Sequence, residues 1–210
     1  VSHSLAWRGG VVRVHEPLGR VWAGSCLANR IGGTVAGDFE LTMEELRVVA
    51  RFVVESAQDV LPAFEAAVPG DPRPRAAIDA AWEFVNGARR TKLQRLTALD
   101  AHRAAQAAGS EAARLAARSA GDAAAAAYLH PISRATQVGH ILRAAASAAR
   151  IAELEAGDDP AVGETVIEQA RRRATLTLVA VLSRYPPAPI GKNRVAQLMS
   201  KLDASLRASC

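Results

Sequence analysis

From Leu41 onward, apolar and polar positions alternate with the period of a helix. Leu46, Val49, Phe52, Val53, Val60, Leu61 and Phe64 recur at helical spacing, while Arg47, Arg51, Glu55, Gln58 and Asp59 fill the other face. This predicts an amphipathic helix over 42–67. Thr42 and Glu45 stand at capping-box spacing, which fixes its start. Pro62 falls inside it and removes one hydrogen bond, so a kink is expected there. Pro69-Gly70 closes the helix.

The punctuation then repeats. Asp71-Pro72 offers a cap followed by a first-turn proline for a helix over 72–87. Thr91 and Gln94 form a second capping-box pair for 92–108. An alanine-rich helix follows over 110–129, and Pro131 interrupts the chain. The next helix, 132–155, sets Ala135, Val138, Leu142, Ala145, Ala149 and Ala152 on one seam. Residues this small let a neighbouring helix pack very close. Asp159-Pro160 starts a helix over 160–184. Its stretch Leu176 to Leu182 is apolar nearly all round, which predicts the central, most buried helix. Tyr185-Pro186-Pro187-Ala188-Pro189 reads as a stiff extended linker, and a last amphipathic helix spans 191–207. The expected fold is all-α, a single helical bundle or array of about seven helices.

Composition agrees. Aromatics make up only 4% of the 210 residues, so the core must be filled by alanine and aliphatic side chains in close-packed helices. Residues 1–38 differ. They hold seven glycines, two of the three tryptophans and no helical period. They read as a poorly ordered extension or as sequence upstream of a misassigned start, with the helical domain occupying 39–210. Cys26 and Cys210 lack paired neighbours, which suits a reducing compartment and no disulfide framework. No apolar run approaches the ~18 residues of a membrane span. With no signal-peptide pattern either, the expected address is cytoplasmic.

The net charge is +5, and about +3 once the first 38 residues are set aside. Acids and bases interleave along most of the chain, the pattern of solvated helix faces. Arg171-Arg172-Arg173 splay round a helix and cannot form one phosphate-binding face. Arg89, Arg90, Lys92 and Arg95 gather at a helix start, either as solvated charge or as contacts to an acidic partner or RNA. No aromatic residues interleave with them, which argues against base stacking.

Catalytic signatures are missing. Gly191-Lys192 is followed by Asn193, so it is not a phosphate loop. Gly32-Gly33 with Gly37 has the wrong spacing for a dinucleotide fingerprint. No nucleophile elbow, paired metal-ligand pattern or cofactor motif is present. Two places carry distinctive polar residues instead. Arg73 and Arg75 are held between prolines at a corner, either for recognition or as part of a helix cap. His102, His130 and His140, with Gln137 on the His140 stripe, either line a groove or are histidines satisfied by backbone near a kink.

Several segments in order resemble a family of bacterial putative immunity proteins, immunity-five-like. They are Phe39-Glu40-Leu41-Thr42 with Val60-Leu61-Pro62, Asp71 to Ala77, Ala101-His102-Arg103-Ala104-Ala105, Ala127-Tyr128-Leu129-His130-Pro131, Ala135 to Leu142, and Tyr185 to Pro189. Members are sometimes labelled exonuclease subunits, a label that fits poorly with a chain lacking an ATP-binding loop and a long heptad coiled coil. The resemblance implies a helical, non-catalytic protein that neutralises a toxin by binding it. It transfers no catalytic residues.

The expectation is therefore a protein that binds a protein partner by steric occlusion, with contacts from Arg73, Arg75, His102, His130, Gln137 and His140 and with no metal or cofactor. The charge suits an acidic or membrane-directed target better than a basic one. The alternatives are a helical nucleic-acid-binding protein and a small-molecule binder using the His130–His140 region.

Overall fold

The computed structural model describes residues 39–208. The expectations for residues 1–38, and for Cys26 and Cys210, lie outside those residues. Among the described residues there are eight α-helices and no strand: α1 (Met43–Ala67), α2 (Arg73–Val85), α3 (Lys92–Ala107), α4 (Glu111–Ala125), α5 (Val138–Glu155), α6 (Pro160–Arg173), α7 (Leu176–Leu182) and α8 (Arg194–Arg207). Short 3₁₀ turns at Ala126–Tyr128 and Ala135–Gln137 flank the Pro131 interruption.

The helix starts follow side-chain chemistry. Thr42 and Thr91 both complete capping boxes, with Glu45 and Gln94 reaching back to the cap amides. Asp159 accepts from the Ala161 amide and Pro160 opens α6. Asp71 lies one residue ahead of the formal cap of α2 but still accepts the Arg73 amide at 3.1 Å. α1 continues through Pro62, which is exposed.

Two expectations change. The helix expected over 160–184 is two helices, because the Thr175 hydroxyl accepts the Leu178 amide and caps a new start. The segment Leu176–Leu182 is also not the centre of the fold. Leu176 is 86% exposed, and the buried side chains are Leu178, Val179, Val181 and Leu182. Its apolar circumference reflects a short helix that seats one face and leaves Leu176 in solvent.

The centre is built by α1, α4 and α5. α4 packs against α1, α2, α3 and α5, and α5 against α1, α4, α6 and α8. Their contact faces are mostly alanine: Ala116, Ala117, Ala120, Ala123 and Ala124 on α4, and Ala144, Ala145, Ala146 and Ala149 on α5. Larger side chains from α1 and α2, including Leu61, Phe64, Ile78 and Phe84, fill the space between. This close packing brings the backbones of α3, α4 and α5 together, and the polar cluster sits where they meet.

Candidate functional site

Four of the six side chains singled out in the sequence converge. His102 on α3, His130 after the first 3₁₀ turn, Gln137 in the second and His140 on α5 line one open cleft of about 380 Å3. Ala98, Leu99, Ala125 and Leu129 supply its apolar surface, and Arg95 and Tyr128 one end. The other two lie elsewhere. Arg73 is clamped to Asp71 at 2.6 Å and Arg75 to Glu65 at 2.8 Å, at the corner between α1 and α2.

The walls are fixed by hydrogen bonds made on either side of the Pro131 break and across it. The Tyr128 hydroxyl donates to the Thr91 carbonyl at 2.7 Å, tying the first 3₁₀ turn to the start of α3. The Tyr185 hydroxyl donates to the His130 carbonyl at 3.0 Å. The His130 amide donates to Gln137 Oε1 at 3.4 Å, so Gln137 braces the loop that carries His130. Arg95 and Arg90 lie over the Tyr128 ring, 4.1 and 5.3 Å from its centroid.

Beneath the histidines sits a buried acid that the sequence reading passed over. Asp122 on α4 is 1% exposed and accepts two hydrogen bonds from Arg143 of α5, at 2.5 and 2.7 Å. His102 Nε2 lies 3.9 Å from the same carboxylate. The close approach needs Gly121. A Cβ there would stand 2.7 Å from His102 Cε1, so any larger residue would push the ring away. The sequence signal was a single acid, behind a glycine, within an alanine run.

Burial lowers the pKa of His102 below the usual histidine value, and Arg143 and Arg118 add to the lowering while Asp122 opposes it. Burial lowers His140 as well, with Arg143 acting in the same direction. No imidazole in the cleft makes a side-chain hydrogen bond among the described residues. Both of these partly buried rings are held towards the neutral form, with ring nitrogens available to a ligand. Among the described residues no group of three or more His, Cys, Asp or Glu is placed to hold a metal ion.

A second missed feature adjoins the cleft. α3 buries Ala98, Ala101, Ala104 and Ala105 but exposes Leu93, Leu96 and Leu99, at 41, 58 and 54%. Three leucines at three-residue steps form one stripe, and Leu99 carries it to the cleft rim. The readable signal was a helix with two apolar faces, one of alanine and one of leucine.

No described helix is long and apolar enough to cross a membrane. A family model described as Imm-5 like putative immunity protein matches residues 40–177. No curated protein and no solved structure matches the chain.

Proposed function

This chain belongs to the family of Imm-5 like putative immunity proteins, and from that premise we propose that it binds a protein partner through the face made by α3, the Pro131 loop and the start of α5. The observation that carries this reading is the convergence of His102, His130, Gln137 and His140 on one cleft beside the exposed Leu93, Leu96 and Leu99 stripe. A central pocket next to apolar anchors, rimmed by polar groups, is the anatomy of a binding hot spot. The partner is a toxin that the chain neutralises in the cytoplasm by covering its working surface, with no chemistry of its own. Arg73 and Arg75 sit outside the cleft and contribute at most at the rim, where paired surface charges add little.

The test is capture of the tagged chain from its organism of origin. A discrete polypeptide should be retained through a salt wash and lost with the Leu96→Asp/Leu99→Asp variant. Recovery of nucleic acid alone, released by moderate salt, would contradict the reading.

One observation favours a second reading, a small-molecule binder. The cleft volume of about 380 Å3 falls within the range of small-ligand pockets, and its lining is mostly apolar with a few convergent nitrogens. That reading predicts binding unaffected by aspartate at Leu96.

A further inference from the structure

Most arginines on this molecule are neutralised where they stand. Arg51, Arg75, Arg103, Arg171, Arg173 and Arg207 each lie within 4.0 Å of a carboxylate. Among the described residues Arg47, which donates to the Phe84 and Gly87 carbonyls, and the exposed Arg89 and Arg134 also lack a carboxylate and line none of the hollows, but four further exceptions gather at the cleft and beside it. Arg90 and Arg95 stand over Tyr128 at the cleft end, with no carboxylate partner among the described residues. Arg114 reaches only the carbonyls of Ala108 and Gly109. Arg118 has no hydrogen-bond or ion-pair partner among the described residues.

Arg114 and Arg118 are one turn apart on α4, so their side chains stand together. Both line a hollow of about 510 Å3 that shares His102 with the cleft. Arg118 and Arg143 pass from it into a third hollow of about 280 Å3 against α8. Glu111 is the one acid lining either hollow among the described residues, and it is committed to Arg150 at 3.2 Å. Ala105, Leu115 and Met199 give this trough an apolar base.

We propose that the trough takes an acidic segment of the partner protein, a stretch that alternates carboxylates with apolar side chains. This deepens the docking reading and rests on it. The carboxylates supply the counter-charges that Arg114 and Arg118 lack, and the apolar side chains cover the base between them. A nucleic acid fits less well. Apolar groups line much of the trough, and the ring of Tyr128 is already covered by guanidinium groups and is not free to stack a base.

The probe is a labelled twelve-residue peptide alternating Glu with Leu or Ala, titrated against the full chain at low salt. A matched peptide with Gln for Glu and a twelve-nucleotide single strand serve as controls. The acidic peptide should bind roughly tenfold or more tightly than the Gln peptide, weakening as salt rises. Arg118→Glu, and separately Arg114→Gln/Arg118→Gln, should each remove most of that preference. Arg171→Glu, on α6, should leave it within about twofold. Thermal melts establish that each variant is folded. Equal binding of the two peptides, indifference to both trough variants, or tighter binding of the oligonucleotide would overturn the proposal. If the peptide fails while the partner is still captured through Leu96 and Leu99, the acidic-segment inference alone is wrong.

Discussion

Asp122 and Glu153 are two buried carboxylates in similar seats. Each is 1% exposed, sits on a central helix and is bridged by arginine. Each depends on a glycine: a Cβ at Gly121 would meet His102, and one at Gly163 would meet the Glu153 carboxyl at 2.2 Å. Their surroundings differ. Glu153 accepts from Arg194 of α8 and from Arg150, which also pairs with Glu111 and Asp158. That network locks α5 to α8 and to the ends of α4 and α5. Asp122 is held by Arg143 alone, with a half-exposed His102 beside it, and both partners line the trough. The same pairing is a clamp in one place and the base of the proposed binding surface in the other.

The sharpest way to break this contrast is to neutralise each acid. Glu153→Gln leaves the partly exposed Arg194 without its anion, while Arg150 keeps Glu111 and Asp158, and should cost about 1–3 kcal/mol in chemical denaturation. The His102 titration followed by NMR should not move. Asp122→Asn should also destabilise. It removes the one group that raises the pKa of His102, so the His102 midpoint should fall further. A shift of His102 in the Glu153 variant, or none in the Asp122 variant, would erase the distinction.

The glycines give the next effect in size. Gly163→Ala also gains about 1 kcal/mol of helix propensity within α6, but it pushes into a carboxyl that is held on several sides, and the net cost should be about 1–2 kcal/mol. At Gly121 the displaced group is a half-exposed ring that can swing outward. Alanine also gains about 1 kcal/mol of helix propensity there, so the net loss should be near zero. Its His102 resonances should nevertheless shift, and partner binding should weaken.

Titration separates the two seats in pH. Arg194 and Arg150 hold Glu153 below the ordinary carboxylate value. Its contribution is present above about pH 4.5 and fades as pH falls further, a slope absent in Glu153→Gln. His102 and His140 are held below 6.5. The unfolded chain therefore binds protons first, and stability declines as pH drops through about 6.5. A His102→Gln/His140→Gln variant should flatten that part of the profile by up to about 1.4 kcal/mol per pH unit per group. The smallest stability effect belongs to Leu96→Asp, within about 0.5 kcal/mol, because the side chain is more than half exposed. A large loss there would mean that the stripe is structural.

Helix starts were the most legible part of the fold because their chemistry is local. Thr42 with Glu45, Thr91 with Gln94, and Asp159 with Pro160 act within four residues of chain. The break at Thr175 was hidden because a lone Thr cap, without Gly or Pro beside it, looks like any helical Thr. The burial of Leu176–Leu182 was misread because an all-round apolar pattern does not reveal helix length. Within the site, the histidines and Gln137 stood out as rare polar residues in an alanine-rich body. Asp122 and Arg143 did not, since their pairing spans 21 residues and exists only once α4 and α5 pack. The Leu93, Leu96 and Leu99 stripe was invisible as a surface, because sequence alone cannot say which of two apolar faces is covered.

The most direct test of the docking face places a photo-crosslinking side chain at position 96, and separately at position 172 on the exposed face of α6, in the organism of origin. Position 96 should yield one discrete protein adduct, absent at position 172 and abolished when Arg118→Glu is combined with His140→Gln. An adduct formed at 172 and not at 96, or no protein adduct at 96 in cells that produce the folded chain, would contradict the account.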